Sequence, residues 1–378
     1  MCSRREAEST PCRARRPQNS RPDWTALGRF LRNCSSFLPE NSSLYTITDV
    51  REDDRDSTVK QQLIMIGESI HASIPETGRI MRALSSLGPD AYCVPSEQLR
   101  YIRALIESQV ANGADYMAVN VDTFGESDAR MAVDLMRAYV RMVREWGRDI
   151  PACIDSSNDD VLIAGLEQWH DTDQPVKQPL LNSVKIHTVD KVLPLKDDFD
   201  FALVGLLLGE KASAGLNVSN SVDQLYGLAK EIFQVAVGRY GFKSEEIFFD
   251  PMVFPLAIDM PMQAGVPGYT YRTFETIKRI RTDPQMRGVH CVLGISNCVR
   301  DLPGRKIGVC RAYLAKAMEY GLDAAIVNVA HRYGQVEPAP DLLELVDAYA
   351  KMDGSPERTC RAMELMGKFC RESRKPAK

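Results

Sequence analysis

The chain of 378 residues is 44% hydrophobic and 26% charged, so it can bury a large core, and its length allows one big α/β domain or two ordinary ones. A formal net charge of −4 gives no electrostatic reason to expect nucleic acid or an anionic membrane as a partner. The longest apolar runs, such as "FALVGLLLG" at 201–209, fall well short of the roughly 20 residues a membrane-spanning helix needs, and the sequence reads as a soluble protein.

The N-terminal stretch 1–60 stands apart. "MCSRREAESTPCRARRPQNSRPDW" and "TDVREDDRDSTVKQQ" are charged and lack apolar periodicity, the composition of a disordered or incidental leader, with Met65 a candidate start of the folded unit. It has neither the apolar core of a signal peptide nor the acid-poor composition of a transit peptide. Ten cysteines without a CxxC pair or a cysteine/histidine cluster read as reduced thiols of a cytoplasmic protein; Cys291, Cys298 and Cys310 read as small buried hydrophobes, with reactive thiols as the alternative.

From residue 62, short β-prone runs alternate with amphipathic stretches. In chain order the runs are "LIMIGES" (63–69), "DYMAVNVD" (115–122), "PACIDSS" (151–157), "PLLNSVK" (179–185), "FALVGLLL" (201–208), "EIFFDPM" (246–252), "HCVLGISN" (290–297) and "AAIVNVA" (324–330). Between the first two, "SEQLRYIRALIESQVANG" carries Leu99, Ile102, Leu105, Ile106 and Val110 at helical spacing, with Ser96 as N-cap and Gly113 as stop. "SDARMAVDLMRAYVRMVREWG", "VDQLYGLAKEIFQVAVGRYG" and "CRAYLAKAMEYGLD" have the same form. Apolar strands covered by intervening helices predict a parallel sheet, and eight such units fit a closed (β/α)8 TIM barrel better than an open sheet, since no GxGxxG turn follows the first strand. The expected organisation is a leader at 1–60, one barrel domain at 62–353, and a C-terminal helix and tail at 354–378.

In such a barrel the active site lies at the C-terminal ends of the strands. The polar residues closing the runs are Glu68, Asn120 with Asp122, Asp155, Asn182, Asp250, Asn297 and Asn328; strand five stays apolar and offers a hydrophobic wall. Any one of them is ordinary as a turn former or helix cap. As a set they mean more, because "CIDSSN", "LLNSV" and "FFDPM" bury the polar group within the run, where it needs a partner. A ring of short carboxylates and amides can grip a flat heterocycle, Asp accepting two hydrogen bonds from an N–C–NH2 edge and Asn serving an adjacent lactam, as a pterin would present. His71, His170, His187, His290 and His331 are scattered, and no metal site is expected.

These motifs resemble the pterin-binding barrels, and within them the methyltetrahydrofolate:corrinoid protein methyltransferases. "IGES" is similar to the family's Gly-Glu-Arg at strand one, with Ser69 in the arginine's place. "CIDSSN" resembles its Asp-Ser-Ser/Thr-Asn, "LLNSV" its Asn-Ser, "FFDPM" its Asp-Pro and "VLGISN" its Gly-Leu-Ser-Asn, together spanning 63–330. The resemblance implies a pterin site of Glu68, Asn120, Asp155, Asn182, Asp250, Ser296 and Asn297, with Asp155 and Asn297 catalytic and Asn297 hydrogen-bonding near N5, the methyl-bearing atom. Arg305 is expected to brace the loop or meet the folate tail or the partner. It also implies (methyl)tetrahydrofolate as substrate, a corrinoid (cobalamin) carried by a separate corrinoid-binding protein, and a homodimer. The alternatives are a dihydropteroate synthase, an enzyme using tetrahydromethanopterin, and a non-catalytic pterin carrier.

Overall fold

The computed structural model describes residues 63–209, 221–260 and 265–373; the expected leader lies outside them. Eight parallel strands close into a barrel in sequence order: β1 (Ile64–His71), β2 (Tyr116–Asn120), β3 (Ala152–Asp155), β4 (Leu180–Val184), β5 (Ala202–Leu206), β6 (Ile247–Asp250), β7 (His290–Gly294) and β8 (Ala324–Val327). Each expected run marks one strand, although β1 continues past its run to His71. The largest difference is at β7, which stops at Gly294, so that Ile295–Val299 forms a 3-10 turn rather than more strand.

Helices cover the outside. After β1 come α1 (Pro75–Ser86) and α2 (Glu97–Ala111), and after β2 the short α3 (Asp122–Gly125) and α4 (Ala129–Trp146). Helix α5 (Asp159–His170) follows β3, the short α6 (Val189–Val192) follows β4, and α7 (Val222–Tyr240) precedes β6. Next come α8 (Tyr269–Thr282), α9 (Lys306–Glu319) and α10 (Pro340–Ala350), and α11 (Pro356–Ser373) buries Ala362, Leu365 and Phe369 at the end. Local signals set the helix ends: Ser96 accepts a hydrogen bond from Leu99 N at 3.2 Å, Asp128 caps α4, and Gly241 at φ 70° stops α7 where a side chain would be strained.

Two apolar layers hold the barrel. Ile66, Ala118, Cys153, Leu180, Val204, Phe248 and Val292 fill its interior, and the opposite strand faces pack under the helices in a larger core. At the N-terminal end, Asp323 accepts from Cys291 N at 2.8 Å and pairs with Arg281 and His290 at 3.1 and 2.9 Å, while Asp115 accepts from Met65 N at 2.7 Å. The buried Asp323 and the exposed Asp115, satisfied in this way, lock the bottom of the barrel, the end associated with stability rather than chemistry.

Candidate functional site

Side chains alternate across a strand, so parity decides which residues reach the lumen. Two positions beyond the interior residues Ile66, Ala118, Cys153, Leu180 and Phe248 stand Glu68, Asn120, Asp155, Asn182 and Asp250, one polar layer on top of the apolar plug. Strand register levels it: Asn120 lies opposite Asp155, and Asp155 opposite Asn182. Asp250 lies opposite Leu206, which supplies the apolar wall expected of strand five. Ser69 has the other parity; it is buried toward the helix layer, its hydroxyl 4.0 Å from Met117 Sδ.

Electrostatics sets this layer apart. Burial lifts the Asp155 carboxyl to about 8, against a hydrogen bond from Asn120 that lowers it, while Asp122, Glu68 and Asp250 push it further up. Burial raises Asp250 to about 7, opposed by the backbone N–H of Met252 donating at 2.7 Å. Glu68 is likewise raised by burial to about 7, opposed by Ser296 Oγ donating at 3.1 Å. Three carboxyls share one basin, and among the described residues none is ion-paired to a lysine or arginine. They hold protons near neutrality or accept hydrogen bonds from a donor-rich guest.

The remaining polar groups orient this layer. Asn120 Oδ1 accepts from Asp122 N at 3.1 Å, leaving its amide N–H2 for Asp155. Asp122 accepts from Ser156 Oγ at 2.5 Å and Ser157 N at 2.8 Å, so it props the β3 loop. Asn182 is buried, its carbonyl accepts from Ser156 N at 2.8 Å, and its peptide bond to Ser183 is cis.

Beside this layer lies a cleft of about 490 Å³ lined by Glu68, His71, Ser296, Asn297, Arg300 and Lys306. Ser296 and Asn297 are exposed on the Ile295–Val299 turn, so it is a turn, not the strand, that delivers Asn297. His71 Nδ1 accepts from Ser73 N at 3.2 Å, and burial depresses its pKa against the field of Asp122; the neutral ring therefore carries its proton on Nε2.

Other sequence candidates have structural partners. Asn328 Oδ1 accepts from Ala330 N at 3.1 Å and Gln109 Nε2 at 2.9 Å, capping the turn after β8. Arg305 forms a two-pronged ion pair with Asp341 at 2.5 and 3.1 Å, tying the loop before α9 to α10. His187 is exposed, and His331 lines the cleft beside Tyr333. Sequence reasoning passed over His71, Arg300 and Lys306. A β-bulge between Glu68 and Ile70 shifts parity before His71, and the two cations follow a turn whose path no periodicity reveals. Among the described residues no group of three or more histidines, cysteines or carboxylates is arranged to hold a metal ion.

The family model of the pterin binding enzymes matches residues 90–328, more than half of the chain. This chain belongs to the pterin-binding enzyme family. The matched span contains the strand ends bearing Asn120, Asp155, Asn182 and Asp250 and the turn bearing Asn297, and β1 with Glu68 precedes it. This pterin-binding enzyme is similar in structure to dihydropteroate synthase from Stenotrophomonas maltophilia, at 15% identity and a TM-score of 0.45, with 78% of this chain and 95% of that chain covered. It is also similar to a dihydropteroate synthase from Coxiella burnetii in complex with pteroic acid, at 12% identity and TM-score 0.45, with coverage of 78% and 96%. Among its described helices none is long and apolar enough to cross a membrane.

Proposed function

We propose that this pterin-binding enzyme moves a methyl group between N5 of (methyl)tetrahydrofolate and the cobalt of a corrinoid carried by a separate protein. The observation that supports it best is the end of β7, where the turn presents a neutral serine and amide, Ser296 and Asn297, at the cleft that also holds Glu68. Asp155, Asn182 and Asp250 grip the pterin ring, the carboxylates accepting from its amino edge and the amide serving its lactam. Asn297 donates to N5 as the carbon–nitrogen bond pair returns to that atom, a contact that strengthens in the transition state and is typically worth about 3 kcal/mol. Glu68, raised to about 7, holds the proton that N5 takes up as it loses its methyl group. When bound, the corrinoid supplies a cobalt(I) methyl acceptor or, in reverse, a methyl-cobalt donor; the same contacts serve both directions. The barrel mouth faces the partner, and two copies of the chain form a homodimer.

The test is spectrophotometric: free cob(I)alamin is mixed with methyltetrahydrofolate, and loss of the cobalt(I) absorption is followed. Turnover in the wild type, with Asn297→Ala slowed about a hundredfold and tetrahydrofolate affinity nearly kept, is the expected result. Equal loss of rate and affinity in that variant would contradict the role of Asn297. Arg300 and Lys306, which line the cleft, favour a second reading, because two cations suit the leaving pyrophosphate of a dihydropteroate synthase. Release of pyrophosphate from a pterin pyrophosphate, with silence in the cobalt assay, would decide for it.

A further inference from the structure

Directly behind the turn that carries Asn297 lie two thiols. Cys298 is the next residue on that turn, and Cys310 sits in the second turn of α9; their sulfurs are 4.0 Å apart, and both side chains are buried. Cys310 Sγ also lies 3.9 Å from the carbonyl oxygen of Ile295, the first residue of the same turn, so α9 touches the turn through this one side chain at two points. Tyr333, which lines the cleft, hydrogen-bonds Cys310, and the thiol is one side chain away from the cleft.

We propose that Cys298 and Cys310 are a redox-active pair that closes to a disulfide under hydrogen peroxide and thereby draws Asn297 away from its ligand. Bonding requires the sulfurs to close from 4.0 Å to about 2.05 Å, a displacement of about 2 Å that the turn must share with the more rigid α9. Because Asn297 is bonded to Cys298, its amide moves with the sulfur, and hydrogen bonds weaken steeply over such a distance.

The two thiols divide the chemistry between them. The hydrogen bond with Cys298 pulls the Cys310 thiol down, helped by Tyr333 and Lys306, whereas burial pushes Cys298 up. Cys310, one side chain from the cleft whereas Cys298 is fully enclosed, is the thiol that peroxide reaches and the attacking sulfur. Its thiolate displaces hydroxide from hydrogen peroxide and becomes a sulfenic acid; the thiol of Cys298 then attacks that sulfur, the S–O bond breaks, and water leaves. The sum is two thiols and one peroxide giving one disulfide and two waters, and a dithiol reductant reverses it.

The functional half of this proposal rests on the role given to Asn297 above; the covalent half does not. The experiment treats the reduced full-length protein with hydrogen peroxide, blocks free thiols with N-ethylmaleimide in denaturant, and maps linked peptides by mass spectrometry. A Cys298–Cys310 peptide, removed by dithiothreitol and absent from C298S and C310S, is expected. Methyl transfer from methylcobalamin to tetrahydrofolate, followed without added reductant, should then be about a hundredfold slower in the oxidised wild type, with tetrahydrofolate affinity nearly kept, and unchanged in oxidised C298S. Alkylation of both cysteines after an exposure that oxidises the exposed Cys360 would overturn the proposal, as would a linked pair with an unaltered transfer rate. If the reduced protein transfers no methyl group, the functional reading of the site fails while the peptide map still decides the fate of the pair.

Discussion

Filling the carboxylate layer with a pterin should expel protons, and their number follows from the site. With its carboxyl raised to about 8, Asp155 is about 0.9 protonated at pH 7 in the empty enzyme. An amino edge donating two hydrogen bonds favours the charged form and returns the group to the ionised state. Asp250, at about 7, is about half protonated and adds about 0.5 if it meets the same ligand. Binding of tetrahydrofolate at pH 7 should therefore release between about 0.9 and 1.4 protons. Isothermal titration in buffers of different ionisation enthalpy reads this number as the slope of observed against buffer enthalpy. Affinity should rise about tenfold per pH unit for each proton released, between pH 5 and pH 7, and level off above about pH 8. Asp155→Asn should remove about 0.9 of the slope at pH 7. A slope of zero in the wild type, or net proton uptake, would refute the reasoning that these carboxyls are the acceptors of the ligand's donors.

The same raised pKa values act on the empty protein. A carboxyl whose folded pKa lies above its unfolded value binds its proton more tightly when folded, so its contribution is complete below about pH 4 and is lost as pH rises through about 8. The melting temperature of the wild type should fall relative to Asp155→Asn between pH 5 and pH 9, as followed by circular dichroism. Removing the Arg305–Asp341 pair, whose side chains are 38% and 44% exposed, should cost about 0.5 kcal/mol in urea unfolding and leave ligand affinity unchanged. Gly78→Ala would put a methyl group 2.1 Å from the carbonyl oxygen of Ala72, so α1 must back away from the segment bearing His71; a loss of about 1–3 kcal/mol in thermal unfolding is expected.

Much of this architecture was legible because two periodicities coincide. Apolar runs of strand length marked every strand, and within them the alternation that buries Ile66, Ala118, Cys153, Leu180 and Phe248 in the barrel also fixed the lumen-facing polar residues two positions later. Legibility failed where the chain leaves that period. Asn297 was assigned to a strand end but belongs to a 3-10 turn, His71 follows a bulge, and Asn328, which lines the cleft, is at the same time a cap bonded to Gln109. Arg305 and Asp341 are 36 positions apart, a pairing that nothing local encodes.

The hydrogen bond between Ser296 and Glu68 spans 228 positions, and Gln109 reaches Asn328 across 219. A chain leaving the ribosome therefore carries Asp155 and Asn182 long before the opposite wall of the cleft has been synthesised. For that interval the buried carboxyls have no barrel to be buried in, their acidity is that of any unfolded peptide, and the half-made product has no use for a pterin. A barrel truncated before β7 lacks Ser296 and Asn297, and with them one wall of the cleft.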